Sequence, residues 1–179
     1  MAAPEEFRDA WEKAGDQLVA FPAAAFSGLE LPPQTVTFLT TAGLPESAAP
    51  FLTFGPRHTH SPTVMGSSHQ GLLEIGSDGA GNPLVIGPDG VVAVLDHERG
   101  FAPLYVNADV ERLAEALLAC RELIDALNEA EDRGAGSDDP DWRKARERFI
   151  TVVKGGDPAA LEAPAFWVQE LGNLSSLIG

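Results

Sequence analysis

The chain has 179 residues, 44% of them hydrophobic and 22% charged, which is an ordinary globular composition and enough for one hydrophobic core. Its net charge is −15, from 27 acidic and 12 basic residues, and a surface of that sign repels nucleic acids and anionic membranes while it attracts basic proteins. No stretch is apolar enough to span a membrane and the acidic start is unlike a signal peptide, so we expect one cytoplasmic domain over residues 1–179.

The N-terminal segment carries the pattern of an amphipathic helix. Within residues 4–20, Phe7, Trp11 and Leu18 recur near helical spacing behind an acidic first turn. A helix over this whole segment would place the three apolar side chains against the core.

A short helix and a strand are predicted next. The helix covers about residues 33–42, because prolines fit the first turn of a helix and Gly43 supplies a stop. Val36 and Leu39 would face inward on this helix. A strand is expected near residues 51–54, and an irregular loop follows it.

The central segment has the pattern of three strands joined by tight turns. Residues 71–98 contain the apolar runs LLEIG, PLVIG and VVAVLDHE, which are separated by SDGAGN and by PDG. Asp, Asn and Gly tolerate left-handed backbone conformations, and a proline followed by Asp-Gly suits a hairpin turn. The pattern predicts a three-strand antiparallel meander.

The last third is predicted to be helical. A long helix begins after Asn107 or Asp109, either of which could cap it, and GAGSDDP ends it. A second helix starts with DWRKARERFITVVKG, and a third starts at a cap formed by Asp157. The apolar stripe of the long helix consists of Val110, Leu113, Leu117, Cys120, Ile124 and Leu127. Together the elements predict an α+β fold with an antiparallel or mixed central sheet, flanked by N-terminal and C-terminal helices.

Motifs for nucleotide, calcium or nucleophilic chemistry are incomplete. The glycine-rich loop lacks the Lys and Ser/Thr of a phosphate-binding loop, and Asp78 with Asn82 lack the further acids of a calcium loop. Cys120, the single cysteine, cannot form an internal disulfide, and its place on an apolar stripe is typical of an inert core residue. We therefore expect no cofactor and no resident metal.

Two catalytic alternatives remain open at this point. His58, His60 and His97 could bind zinc together with a nearby acid, which would make the chain a metal-dependent hydrolase. Asp96 and Glu98 could form an acid–base pair, although acids at the end of a strand more often mark a charged sheet edge.

The acidic residues indicate a protein-binding surface. Residues 1–139 hold 22 acidic and 7 basic side chains, so the excess negative charge lies in this part of the chain. A stripe on the long helix is formed by Glu111, Glu115, Glu122, Asp125 and Glu129. The acids predicted to contact a partner lie at turns and strand ends of the meander, and they are Asp78, Asp89, Asp96 and Glu98. Solubility alone and a solvated helix face are the alternative explanations.

Four motifs follow one another along most of the chain. They are LELPPQTVTFLTTAGLP, IGSDGAGNPLVIGPDGVVAVLDHE, YVNADVERLAEALL and DPAALEAPAFWVQEL. In this order they resemble the SUKH superfamily, and within it the type-four immunity proteins of bacterial polymorphic toxin systems. The chain departs from the family pattern at Ala108, where a Ser often helps to cap the next helix, and at a polar insertion around residues 130–145.

The resemblance implies an α+β fold and a protein that binds and blocks a cognate toxin. The family's partners are often nucleases or nucleic-acid deaminases, many of them basic, and an acidic inhibitor would imitate the charge of their substrate. We therefore expect a non-enzymatic immunity protein that binds a basic toxin and neither nucleic acid nor membrane. An intracellular adaptor of the same fold is the alternative from the class of binding modules.

Overall fold

The computed structural model describes residues 3–13, 15–56, 69–135 and 139–177. The helices in these ranges are α1 (Pro4–Lys13), α2 (Pro33–Thr41), α3 (Val110–Asp132), α4 (Pro140–Gly156) and α5 (Phe166–Leu177). The strands are β1 (Leu18–Val19), β2 (Leu44–Pro45), β3 (Ser47–Ala48), β4 (Leu52–Phe54), β5 (Leu73–Ser77), β6 (Pro83–Ile86), β7 (Val92–Asp96) and β8 (Ala102–Asn107). None of these helices combines the length and the apolar character that crossing a membrane requires.

Six of the strands form one antiparallel sheet in the order β3-β4-β5-β6-β7-β8, so each strand pairs with its neighbour in sequence. Strands β5, β6 and β7 form the predicted meander, which is confirmed. Helices precede and follow the sheet, so the predicted α+β fold is confirmed, with an antiparallel rather than a mixed sheet. Strands β1 and β2 pair with each other in a separate two-stranded sheet.

Glycine is required at two points where backbone segments approach closely. A Cβ atom at Gly76 in β5 would lie 1.9 Å from the carbonyl oxygen of Thr53 in β4. At Gly43, which follows α2 and has a φ of +75°, a Cβ atom would lie 2.4 Å from the carbonyl oxygen of Val19 in β1. A side chain at either position would push the paired segments apart, so the fold requires glycine at both.

The N-terminal helix is shorter than the sequence predicts. The pattern of residues 4–20 favours one continuous helix, but α1 ends earlier and Leu18 lies in β1, where it pairs with β2. Gly15 has a φ of +88°, a left-handed conformation that is typical of the end of a helix. Phe7 and Trp11 are buried as expected. The prediction is therefore wrong for Leu18, because pairing with β2 replaces helix at the end of this segment.

The buried faces of α2 and α3 follow the predictions with two differences. Val36, which was expected to face inward, is only half-buried on α2. On α3 the predicted stripe is buried except at Ile124, whose neighbour Leu123 takes the core position. Burial raises the pKa of the Cys120 thiol to about 12, so the thiol stays protonated at neutral pH and behaves as a small apolar side chain.

The polar insertion around residues 130–145 contains the end of α3 and the start of α4. The Asp139 carboxylate caps α4, since it accepts hydrogen bonds from the backbone N–H groups of Asp141 at 2.9 Å and Trp142 at 3.1 Å. Arg133 donates to the same carboxylate at 2.9 Å and, together with the backbone donors, lowers its pKa. The predicted helix DWRKARERFITVVKG is confirmed as α4.

Candidate partner-binding site

The turns of the meander alternate between the two ends of the sheet, because neighbouring strands are antiparallel. The β5–β6 and β7–β8 turns lie at one end, and the β6–β7 turn lies at the other. Of the four acids predicted to contact a partner, Asp78, Asp96 and Glu98 therefore lie at the same end. Asp89 lies at the opposite end, so the structure brings together three of the four.

Asp78 and Asn82 hold the β5–β6 turn in place. The Asp78 carboxylate accepts hydrogen bonds from the backbone N–H groups of Ala80 at 2.9 Å and Asn82 at 2.8 Å, and from Nδ2 of Asn82 at 2.9 Å. Oδ1 of Asn82 accepts a hydrogen bond from the backbone N–H of His97 at 3.0 Å. This last bond ties the β5–β6 turn to the β7–β8 turn, so the acids of both turns keep a fixed spacing.

Asp96 closes the β7–β8 turn. One of its carboxylate oxygens accepts a hydrogen bond from the backbone N–H of Glu98 at 2.9 Å, and the other lies 3.4 Å from Nε of Arg99. The side chain of Glu98 is exposed. The interpretation of these two acids as a charged sheet edge is wrong, because β8 pairs with β7 along its length and encloses it within the sheet.

Helix α5 completes this end of the molecule. Phe166 and Glu170 line two shallow cavities of ≈ 240 and ≈ 220 Å³ between α5 and the turns, and Asp78 borders both cavities. Burial raises the pKa of Glu170 above its ordinary value, and the charge of Asp78 raises it further. The carboxylates of α5 and of the turns are therefore close enough to influence one another.

An exposed phenylalanine lies beside these acids. Phe51, in the β3–β4 turn, is 77% exposed, and across residues 3–13, 15–56, 69–135 and 139–175 no other large hydrophobic side chain is exposed. Its φ is 69°, which a bulky side chain rarely adopts. A Cβ atom at Gly79 in the β5–β6 turn would lie 2.9 Å from Cβ of Phe51, so the two turns are in contact. We use the name acidic end for Phe51, Asp78, Asp96, Glu98 and Glu170.

Two members of the acidic end are absent from the residues predicted from the sequence. Phe51 was assigned to a strand, but the alternation in its FLTF run carries a signal, since Leu52 and Phe54 are buried and Phe51 falls on the opposite side. Glu170 has no local signal, because it reaches the turns only through the packing of α5 against the end of the sheet.

The opposite end of the meander is covered by the N-terminal part of the chain. Oδ1 of Asp89 accepts a hydrogen bond from the backbone N–H of Val91 at 3.1 Å, which fixes the β6–β7 turn. A Cβ atom at Gly90 would lie 3.1 Å from Cγ of Pro32 and 3.9 Å from Oγ1 of Thr35. This turn therefore packs against the start of α2, while the turns at the acidic end face outward.

Ion pairs neutralise part of the acidic stripe on α3. Arg112 lies 2.7 Å from Glu115, Arg148 lies 2.6 Å from Glu122, and Arg133 lies 3.7 Å from Glu129. The Arg148 pair joins α4 to α3, so one member of the basic cluster at 143–148 balances the acidic helix within the fold. The stripe therefore presents less free charge than its sequence suggests.

The histidines offer limited support for a metal site. His58 and His60 lie outside the described residues. The backbone N–H and ring of His97 contact Asn82, and Nε2 of His69 lies 3.1 Å from the carbonyl oxygen of Phe101. No group of three or more His, Cys, Asp or Glu side chains suited to a metal occurs within the described part of the chain. Zinc binding by His58, His60 and His97 stays a hypothesis.

Asp157 has a structural role that differs from the predicted one. Asp157 occupies the N-cap position of the 3₁₀ turn Pro158–Leu161, as predicted, but its side chain makes no capping hydrogen bond to that turn. Its carboxylate is only 5% exposed and instead accepts hydrogen bonds from the Tyr105 hydroxyl at 2.9 and 3.1 Å, Nδ2 of Asn107 at 3.1 Å and the backbone N–H of Ala108 at 2.8 Å. Burial and the bond to Asp157 raise the pKa of Tyr105 above its ordinary value.

The same network extends to α5 and clarifies the start of α3. Oδ1 of Asn107 accepts a hydrogen bond from Nε1 of Trp167 at 3.0 Å, and both side chains are buried. Asn107 is thus occupied inside the protein, and Asp109 caps α3 by accepting from the backbone N–H of Arg112 at 2.8 Å. Helix α3 is therefore capped by Asp109, although Ala108 has no hydroxyl that could contribute to the cap. We use the name Asp157 network for Tyr105, Asn107, Ala108, Asp157 and Trp167.

Comparison with known proteins gives one match. Searches of curated proteins and of solved structures find no significant match to the chain. A family model described as SUKH-4 immunity protein matches residues 6–173, which includes the meander, the acidic end and the Asp157 network. A match of this extent supports an immunity function. The chain belongs to the SUKH-4 immunity protein family.

Proposed function

We propose that this protein is a non-enzymatic inhibitor that binds a cognate toxin domain and occludes its active site through the acidic end. The partner is a basic domain, and nucleases or nucleic-acid deaminases fit this description because they must attract phosphate groups. The inhibitor acts as one domain, in the cytoplasm, without a cofactor. Neither nucleic acid nor a membrane is a partner, since both would be repelled by a net charge of −15.

The observation that carries the proposal is the gathering of exposed and partly exposed carboxylates and an exposed aromatic side chain at one end of the sheet. The Asp78 and Asp96 carboxylates are held in place by hydrogen bonds within their turns, and the backbone N–H of Glu98 donates one of these bonds. Charges that are fixed before binding lose little conformational entropy in a complex. They would accelerate association with a basic surface and orient it, while the apolar contact beside them would supply affinity.

The proposal is tested by co-expression with the toxic C-terminal domain encoded beside the gene. We expect the host to survive, and the purified pair to form a one-to-one complex whose association rate falls as salt is added, because salt screens the acidic end. Death of the host, with no complex at low or high salt, would reject the pairing.

An adaptor that binds another intracellular protein is the second candidate. The same fixed, acidic and partly apolar surface would suit a basic partner of any kind, so the acidic end does not separate the two functions. The position of the gene does, because an immunity gene lies beside a toxin gene. An isolated gene and a purified complex with a protein that is not toxic would favour the adaptor.

A further inference from the structure

We propose that Phe51 is the apolar anchor of the complex, and that the toxin receives it in an apolar pocket bordered by Arg or Lys side chains. This inference rests on the proposed function and adds the residue that holds the complex together. Carboxylates at the rim of an interface mainly change the association rate, so slow dissociation requires a desolvated contact of another kind. Phe51 is the side chain at the acidic end that can supply it.

Exposure and surroundings both single out this side chain. At 77% exposure, Phe51 leaves most of its ring in water, which is unfavourable in the free protein and is reversed when a partner covers it. It borders the ≈ 220 Å³ cavity that Ala80, Phe166 and Leu174 also line, so the ring and the cavity form one continuous apolar patch. A partner surface that covers the ring would therefore also fill the cavity.

The chemistry of the partner follows from the rim of this patch. Asp78 and Glu170 border the same cavity as Phe51, and Asn173 lies beside them. A purely apolar partner would desolvate these carboxylates without compensation, which is costly. A partner with cationic side chains around an apolar pocket would pair with them instead, so charge complementarity selects a basic partner over a neutral one.

Backbone conformation provides a way to test whether Phe51 is kept for binding. A φ of 69° is unfavourable for phenylalanine and favourable for glycine, so the free protein would be at least as stable with glycine at this position. If the side chain serves the complex, replacement by glycine weakens binding and does not lower the stability of the free protein. If the side chain serves the fold, both are lost together.

The test measures association and dissociation rates of the purified chain with the toxic C-terminal domain encoded beside its gene. We expect Phe51→Ala and Phe51→Gly to raise the dissociation rate by about 30-fold and to change the association rate by less than about twofold. Phe51→Gly should melt at or above the wild-type temperature, and Phe51→Trp should keep slow dissociation because it retains an aromatic ring.

Phe101 supplies a matched control. It is also a phenylalanine with a positive φ, of 63°, in a turn at the same end, but it is half-buried and its ring lies 6.0 Å from that of His69. We expect Phe101→Ala to raise the dissociation rate less than about threefold.

The possible failures are distinguishable. If the wild-type chain forms no complex, the proposed function fails and this inference fails with it. If the wild type binds, but Phe51→Ala dissociates at the wild-type rate or Phe101→Ala dissociates as fast as Phe51→Ala, only the role of Phe51 is rejected. Loss of both stability and binding in Phe51→Gly would likewise overturn it.

Discussion

Carboxylates serve two different purposes in the acidic end and in the Asp157 network. Asp157 is buried and accepts hydrogen bonds from three residues that belong to β8 and to the entry of α3. At the acidic end, Asp78 and Asp96 also accept backbone hydrogen bonds, but only from their own turns, and they remain partly exposed. The first arrangement joins distant parts of the chain, whereas the second fixes charges at the surface.

The difference shows that hydrogen bonding alone does not distinguish a structural acid from a binding acid. What differs is the sequence distance of the donors and the access of solvent. Asp157 is bonded to residues that are far away in the sequence, and Tyr105 is separated from it by 52 positions, so loss of Asp157 would disconnect elements. Asp78 is bonded to residues 2 and 4 positions away, so its charge can change while the fold persists. Each of the following predictions tests this division.

The largest effect is expected for Asp157→Ala. It leaves the Tyr105 hydroxyl, Nδ2 of Asn107 and the N–H of Ala108 without their acceptor inside the protein, and we expect the free energy of unfolding to fall by about 4 kcal/mol. Urea unfolding measures this change. Glu147→Ala is the control, because Glu147 is exposed on α4, and it should change stability by less than about 0.5 kcal/mol. Similar values for both variants would contradict a structural role for Asp157.

A smaller effect, on association rather than on stability, is expected for the triple variant Asp78→Asn, Asp96→Asn and Glu98→Gln. The amides remove the charges but keep an oxygen that can accept the backbone hydrogen bonds of the turns. We expect the association rate with the toxin domain to fall about tenfold at low salt and to match that of the wild type at about 0.5 M salt. An unchanged association rate at low salt would show that these acids do not attract the toxin domain.

A further, smaller effect concerns pH and Glu170. Its pKa is raised from the ordinary value of 4.5 by burial and by Asp78, so the free protein holds this proton to a higher pH than the unfolded chain does. A cation of the partner would favour the ionised form, so binding releases the proton and affinity falls as pH falls through the raised pKa.

Glu170→Gln should therefore weaken binding about threefold at neutral pH and remove this part of the pH dependence. The stability of the free protein depends on pH in the opposite direction from its affinity. A raised carboxyl pKa stabilises the folded state at low pH, and this contribution is lost as the pH rises through the raised pKa. The variant should thus be slightly more stable than the wild type at neutral pH. Titration calorimetry and thermal unfolding at several pH values measure both, and an unchanged pH profile of binding would count against Glu170 as a contact.

The smallest effect is expected for Asp89→Asn. The amide keeps an acceptor for the N–H of Val91, and the β6–β7 turn packs against the start of α2 at the opposite end of the sheet. We expect affinity within about twofold of the wild type and an unchanged melting temperature. A loss of affinity comparable to that of the triple variant would show that Asp89 belongs to the binding surface and that the partner contacts both ends of the sheet.

Local patterns in the sequence account for much of the fold. The three runs of the meander and the apolar stripe of α3 follow from period and turn chemistry, which act over a few residues. Strand β8 is not predicted because its sequence, APLYVN, shows no alternation of apolar and polar residues and begins with Ala102 and Pro103, a poor strand start. Pairing with β7 stabilises the strand. The prediction fails at Leu18 for the same reason, since its pairing partner, Pro45 in β2, lies 27 positions further along the chain.

The candidate site was only partly predictable. Asp78, Asp96 and Glu98 are predicted as contacts because they lie at turns and strand ends, but no sequence pattern says at which end of a sheet a turn lies until the strand order is known. That order separates Asp89 from the others. Phe51 and Glu170 are brought to the site by the packing of a turn and a helix from distant parts of the chain. The place of Asp157 at the start of a turn is predictable, but its bonding is not, because its hydrogen-bond donors are 49 to 52 positions away.

The surface proposed to bind the toxin is the end of the sheet that carries Phe51, Asp78 and Asp96. Hydrogen–deuterium exchange of the chain, free and in complex with the toxin domain, tests this proposal most directly because it reports on every turn at once. We predict slower exchange in the complex for the β3–β4, β5–β6 and β7–β8 turns and the first half of α5, with no change in the β6–β7 turn. Protection of the β6–β7 turn or of α3 and α4, with none at the acidic end, would contradict the account.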